Sequence, residues 1–222
     1  MNMLTRKLIA KEFYLNRWLI VGATGAGVAG LVIAAEGRMR FNVGMLIWLT
    51  TIIAFGVTLA MLSIASERKD RALLFVLSLP LSPGDYIRTK LLGLMICFLV
   101  PWAFLTIGAL LLVWVQPNLP DGLLPYALLL CVFMLANFSL VLSGALHTSS
   151  EGVMTLLIIV TNMGVSLFIF MVGSIPALYD HLQDAHPVWN SAVWTVLAVE
   201  LATLVLTMSL PYFVAARRRD FI

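Results

Sequence analysis

The chain has 222 residues, of which 61% are hydrophobic and only 11% are charged, and its formal net charge is +3. Soluble domains carry about 25% charged residues, so this composition excludes an ordinary soluble protein. A helix needs about 20 apolar residues to cross a bilayer. Six runs have that length, and we predict an all-α polytopic membrane protein whose single transmembrane domain (1–222) has spans at 18–35, 43–64, 91–116, 123–147, 153–173 and 191–215.

The segment before the first span, residues 1–17, mixes apolar and basic side chains. Leu4, Leu8 and Leu15 share one helical face, although Lys11 falls on it too. This pattern predicts an interfacial helix at the membrane surface, with a disordered tail as the alternative.

The first span resembles a signal peptide only in that basic residues precede it. It is long, has no convincing cleavage site and precedes further spans, so we interpret it as retained.

A glycine-rich stretch, "GATGAGVAG", lies inside the first span. It is not a phosphate-binding loop, because no Lys-Ser or Lys-Thr follows it. Gly22, Ala26 and Gly30 have the small-xxx-small spacing that allows helices to approach closely. We predict that they pack the first span, either across a dimer or against a neighbouring span.

Lys and Arg are distributed unevenly between the connectors. The segment before the first span, the connector at 66–90 and the C-terminal tail hold all but two of the 14 basic residues, the exceptions being Arg38 and Arg40. Positive loops face the cytoplasm, so both termini and residues 66–90 are predicted to be cytoplasmic. The net charge belongs to these membrane flanks and does not indicate nucleic-acid binding.

The sequence offers no nucleotide-binding loop, no metal-ligand cluster and no catalytic triad. Cys97 and Cys131 lie inside spans and are interpreted as apolar packing residues. We therefore predict no catalytic residue, no metal site and no cofactor in this chain, which is not expected to be an enzyme by itself.

The connector at 66–90 is unusual because a charged cluster, Glu67 to Arg71, is followed by an apolar stretch. Charges at a helix centre in lipid cost about 2.5–3.5 kcal/mol each, so the cluster must reach water. Pro80 halts the helix, and Ser82 as N-cap followed by Pro83 predicts the start of a new one. Leu74 and Phe75 favour docking onto a protein partner. A solvated loop and an element lying in the headgroups are the alternatives.

In the next inner connector, Thr148 and Glu151 have capping-box spacing, which predicts the start of the fifth span.

The stretch "ERKDRALLFVLSLPLSPGDYIRTKLLG" resembles the cytoplasmic loop between the second and third spans of ABC-2 type transporter permeases. The resemblance rests on its Glu-Arg start, its Leu-Ser-Leu-Pro core and its following Tyr-x-x-x-Lys. The layout of a basic N-terminal segment, six spans, a longer last outer loop and a basic tail is also similar.

The resemblance implies the permease subunit of an ABC exporter in the bacterial inner membrane. Residues 67–79 would form a coupling helix seated on a separate cytoplasmic ATPase, present in two copies and using ATP and Mg. Residues 148–152 would make a smaller contact. The permease partner would be a second copy or a related chain, and the substrate a peptide, antibiotic or lipid-like molecule. The ATPase-interface residues would be Glu67, Arg68, Arg71, Leu74, Phe75, Leu79 and Glu151.

Glu200 lies well inside the sixth span, where an ionised carboxylate must face protein or water. We interpret it as a clamp to a neighbouring span or as part of a translocation pathway, with Asn137 and Asn162 as further pathway candidates. Two other functions remain open. An ion-coupled secondary transporter would use Glu200 for its coupling ion, and a non-transporting immunity or assembly membrane protein would not use an ATPase.

Overall fold

The computed structural model describes residues 3–65, 83–148 and 150–217. Six of the helices in this part of the chain are long and apolar enough to cross a membrane, which confirms the predicted all-α, six-span class. A π-helical turn, Met61–Ala65, continues the second helix, and a four-residue helix, Pro176–Tyr179, precedes the sixth. The long helices are α1 Met3–Ala35, α2 Arg38–Ala60, α3 Pro83–Val115, α4 Leu123–His147, α5 Glu151–Gly173 and α6 Ser191–Arg217.

The predicted interfacial helix and the first span form one continuous element. α1 has 33 residues, a length of about 50 Å that exceeds the roughly 30 Å hydrocarbon thickness of a bilayer. The helix is therefore longer than the apolar layer is thick, and it has no break near residue 17. α3, also 33 residues long, is longer than the apolar layer too.

The sequence predicted where two of the helices start. α3 begins at Pro83 with Asp85 in its first turn, as predicted. The capping prediction for the fifth span was wrong, because Ser150 is the N-cap of α5 and its hydroxyl oxygen accepts a 3.4 Å hydrogen bond from the Val153 amide. Thr148 instead ends α4, where its amide bonds to the Gly144 carbonyl. An N-cap directly precedes the first helical residue, and Thr148 lies two positions before Ser150, which occupies that place.

α1 and α2 form a tight antiparallel hairpin. Gly37 turns the chain with φ of 136°, a conformation that L side chains rarely adopt. Further along, the backbones touch: a Cβ on Gly44 would collide with the Gly30 carbonyl oxygen and the Ala34 amide. This contact needs glycine, since any side chain would separate the two helices.

The core is centred on α4, the most buried of the six long helices. An aromatic stack of Phe55, Phe98 and Phe138 joins α2, α3 and α4, with ring centroids 5.7 and 3.9 Å apart. Gly56 leaves space for the stack, because a Cβ there would lie 2.9 Å from Phe138. α6 packs against α4 and α3, whereas α5 contacts mainly α4.

The start of α1, the end of α2, the start of α3 and the end of α6 lie at one end of the bundle, which we call the basic end. Arg88 of α3 lies over the Tyr212 ring of α6, 5.4 Å from its centroid. Arg6, Lys7 and Lys11 are exposed on the first turns of α1. The basic end is therefore also where the chain leaves α2 and returns at α3.

Candidate functional site

The candidate site has two parts, a polar cluster at the basic end and a glutamate buried between helices. Most of the predicted ATPase-interface residues lie outside the described residues, and these are Glu67, Arg68, Arg71, Leu74, Phe75 and Leu79. Glu151, the remaining one, is exposed at the first position of α5. The structure therefore positions the two ends of the 66–82 segment and the α4–α5 connector.

A buried ion pair lies at the start of α3. Lys90 Nζ is 2.9 Å from Glu12 Oε1 of α1, and the side chains are 3% and 7% exposed. Taking two charges out of water is costly unless they are paired and hydrogen-bonded, so this contact strongly constrains where α3 meets α1. Gly93 allows the approach, since a Cβ there would lie 3.2 Å from Glu12 Cγ.

A second polar contact joins α1 to the end of α2. Asn16 Nδ2 donates to Ser63 Oγ at 3.1 Å, and Ser63 lies in the π-helical turn Met61–Ala65. Asn16 Nδ2 also donates to the carbonyl oxygen of Glu12 at 2.9 Å. All of these side chains are buried. We call Glu12, Asn16, Ser63 and Lys90 the basic-end cluster.

Sequence reasoning missed the basic-end cluster. Lys90 was assigned to the basic connector, and Glu12 to an interfacial helix. A signal existed in the i,i+4 spacing of Glu12 and Asn16, which places two polar groups on one helical face. The partner could not be found from spacing alone, because 78 residues separate Glu12 from Lys90.

Glu200 lies on α6, and its side chain is buried against the neighbouring helices, with 4% exposure. Within the described part of the chain, neither carboxyl oxygen has a hydrogen-bond partner. Cys131 of α4 lies close to Glu200 and to Thr106 of α3. The carboxyl is about 14 Å along α6 from Ser191, near the middle of a bilayer core about 30 Å thick.

The asparagine candidates do not bond to Glu200. Asn137 lines a narrow crevice between α2, α3 and α4, beside Phe98 and Ile52. Asn162 lies on α5, and its buried amide oxygen also has no hydrogen-bond partner among the described residues. The structure therefore does not bring the three pathway candidates together.

The small-residue candidates divide between two surfaces of α1. Gly30 is buried against α2, where a Cβ would lie 2.9 Å from the Gly44 carbonyl oxygen and from the Trp48 amide nitrogen. Gly22 and Ala26 are exposed, and a Cβ on Gly22 would meet no atom within 4 Å. Gly30 thus packs within the chain, while the other two face outward.

The part of the chain that the structure describes holds no group of three or more His, Cys, Asp or Glu side chains able to bind a metal. The polar groups of both parts of the site, the basic-end cluster and Glu200, are buried between helices.

Comparison with known proteins gives one family. Residues 35–200 match the family model described as ABC-2 family transporter protein. The matched region runs from the end of α1 to Glu200 and includes the whole connector between α2 and α3. A search of curated proteins found no significant match.

Proposed function

The chain belongs to the ABC-2 family of transporter proteins, and we propose that it is the membrane-spanning permease of an ATP-driven exporter. The observation that carries the proposal is the family match over residues 35–200, which covers most of a six-helix membrane bundle. The family implies an ABC transporter with an ATPase partner. In this proposal the partner is a separate subunit, present in two copies, that binds ATP and Mg.

The partner docks on the 66–82 segment, whose residues 67–79 act as the coupling helix. The arrangement of the flanking helices supports this role. α2 continues through the π-helical turn to Ala65, α3 restarts at Pro83, and both are joined to α1 by buried polar contacts. Because the helices on both sides of the segment contact α1, a displacement of the segment is transmitted to the membrane helices more directly than a displacement of a free loop would be. Glu151, exposed between α4 and α5, supplies the smaller contact.

The basic end faces the cytoplasm of a bacterial cell, and the membrane is the inner membrane. Lys and Arg are concentrated at this end, and Arg38 and Arg40 are the basic residues at the opposite one; positive loops face the cytoplasm. An ATPase that uses cellular ATP must dock on the cytoplasmic side, so the charge distribution and the coupling role agree.

The substrate moves outward, and peptides, antibiotics and lipid-like molecules are the proposed classes. The pathway forms when this chain pairs with a second copy or a related permease. Glu200 contributes to it: a buried carboxyl without a hydrogen-bond partner in the described chain is available to a cationic or amphipathic solute that reaches this depth.

The same carboxyl favours the alternative of an ion-coupled secondary transporter, in which Glu200 binds the coupling ion. The two functions differ in their energy source. An ion-coupled transporter that is purified alone in liposomes moves substrate when a proton gradient is imposed. A permease of the proposed kind does not.

Affinity purification of the full chain from its native membrane, followed by mass spectrometry, tests the proposal. We expect an ABC ATPase to co-purify in stoichiometric amount, and ATP hydrolysis to appear in the same fraction. Substitution of the lysine in the phosphate-binding loop of that ATPase should remove hydrolysis and leave the complex intact. Absence of any ATPase from the wild-type complex, together with proton-driven transport by the chain alone, would overturn the proposal.

A further inference from the structure

The basic-end cluster connects three segments that are distant in sequence. Glu12 and Asn16 lie one helical turn apart on α1 and therefore on one face. Ser63 lies three residues before the start of the 66–82 segment, and Lys90 lies two helical turns after Pro83. One turn of α1 thus holds both the exit from α2 and the entry into α3.

The contacts are of a kind that keeps segments together. The Lys90–Glu12 pair is 2.9 Å long and nearly inaccessible to water, so water cannot easily replace either partner. Separating the two would leave uncompensated buried charges. The Asn16–Ser63 contact is reciprocal, since Ser63 Oγ is also within 3.3 Å of Asn16 Oδ1. Asn16 is itself fixed by its hydrogen bond to the Glu12 carbonyl.

The π-helical turn that carries Ser63 is a second, independent observation. π-helical turns are rare and occur often at functional sites. This one lies where α2 meets the 66–82 segment. Ser63 is therefore held to α1 at the point where the geometry of the second helix departs from that of an α-helix.

We infer that Glu12 and Lys90, assisted by Asn16 and Ser63, are positioning residues that make α1 move together with both ends of the 66–82 segment. This inference rests on the proposed function. A displacement that an ATPase imposes on the segment reaches α1 through the buried pair and passes into the hairpin through the α1–α2 backbone contact. The cluster is therefore a transmission element, and its charges have a role beyond holding the fold.

A reporter on α1 tests the inference in the purified permease–ATPase complex. Leu15→Cys introduces a thiol at a position that is 59% exposed, whereas the native Cys97 and Cys131 are 0% and 1% exposed. An environment-sensitive fluorophore attached there reports movement of α1. The measured quantity is the change in its emission between the nucleotide-free and ATP-bound states, alongside the rate of ATP hydrolysis and the yield of complex.

Lys90→Met removes one partner of the pair. We expect it to reduce the ATP-dependent emission change by about fivefold or more, the range of a typical coupling free energy. ATP hydrolysis per assembled complex should stay within about twofold of wild type, because the chemistry takes place in the ATPase, whereas the yield of complex falls since Glu12 is left buried and unpaired. The reciprocal exchange Glu12→Lys with Lys90→Glu restores the pair and should recover most of the change. A merely structural role would lower all three quantities together.

Two further variants serve as a control for the position of the pair and as a substitute if Lys90→Met does not fold. Arg40→Met breaks the exposed Glu36–Arg40 pair at the opposite end and should leave the emission change at its wild-type value. If Lys90→Met does not fold, the double variant Glu12→Gln with Lys90→Met leaves no lone buried charge and gives the same reading. A full emission change in either cluster variant overturns the inference. Failure of the wild-type chain to retain an ATPase overturns the proposed function instead, and the positioning role with it.

Discussion

Trp102 Nε1 donates a 3.0 Å hydrogen bond to the carbonyl oxygen of Cys131, which fixes α3 against α4 one helical turn before Thr106. Ser139 and Thr207, whose hydroxyl oxygens are 2.6 Å apart, fix α4 against α6 in a parallel arrangement. Glu200 lies about two helical turns before Thr207 along α6 and close to Cys131 of α4. Its surroundings are therefore held by bonds in which its own carboxyl takes no part.

Glu200 should be dispensable for folding and necessary for transport. A buried polar group without a hydrogen bond costs about 1–3 kcal/mol, so Glu200→Met is expected to unfold at the wild-type temperature or higher. Glu200→Gln keeps the shape and deletes the charge, and it should change which substrates are exported while the complex remains intact. Thermal unfolding in detergent and transport into vesicles measure the two effects. A clear loss of stability in Glu200→Met, with wild-type stability and unchanged export in Glu200→Gln, would reveal a clamp and contradict the pathway role.

The α1–α2 hairpin should not tolerate a single methyl group at its contact point. Gly44→Ala places Cβ against the backbone of α1, and overpacking of this kind costs about 1–3 kcal/mol. Gly22→Ala is the matched control, since its Cβ meets open space and Ala is favoured over Gly in a helix by about 1 kcal/mol. We expect a lower thermal midpoint for the first variant and an equal or higher one for the second. Equal behaviour would refute the close approach.

Dimerisation through the outward face of α1 can be tested separately from folding. Ala26 is exposed, so Ala26→Leu should leave the thermal midpoint unchanged. If this face pairs two permeases, the variant should weaken association about tenfold, which corresponds to 1.4 kcal/mol. Single-molecule photobleaching in lipid discs gives the dimer fraction, and Val32→Leu, also exposed, is the control. An unchanged dimer fraction in Ala26→Leu removes this face from the permease contact.

The proposed orientation predicts labelling from opposite sides. Gln183→Cys is exposed in the α5–α6 connector and should react with an impermeant maleimide in intact cells. Arg218→Cys should react only after permeabilisation. Background labelling is low because Cys97 and Cys131 are buried. Reaction of both sites from one side would show that the number of crossings, or their direction, is wrong.

The proposed coupling helix predicts a specific loss of communication. Phe75→Ala should cost more than about 2 kcal/mol of binding if the ring is an anchor, and Leu74→Asp should be at least as severe because it would bury a charge. We expect loss of assembly or of substrate-stimulated ATP hydrolysis, with normal membrane insertion. Met39→Ala, 92% exposed at the opposite end, is the control. Wild-type complex and stimulation in both variants would exclude these residues from the contact.

The number of spans and several helix ends were predictable because lipid imposes a local rule on each segment. The run at 123–147 coincides with α4, and Pro83 begins α3, since length, apolar composition and proline geometry act within a few residues. The packing face of α1 was not predictable in the same way. A spacing of four residues drifts around a helix of 3.6 residues per turn, so Gly30 faces α2 while Gly22 faces outward.

The basic-end cluster shows the other limit of sequence reasoning. Charges near a span end are normally solvated, and Lys90 has the sequence context of such a residue. Its burial depends on Gly93 leaving space and on Glu12 of another helix arriving at the right height. These are relations between helices, and no single segment encodes them.

The tight α1–α2 hairpin has a consequence for how the protein is made. Every atom of the Gly30–Gly44 contact belongs to residues that are synthesised before α3. The hairpin can therefore enter the membrane already paired, and the later helices assemble on it. Glu12 then acquires its ion-pair partner only when Lys90, 78 residues later in the chain, is inserted. Insertion of the third helix therefore neutralises a buried charge on the first.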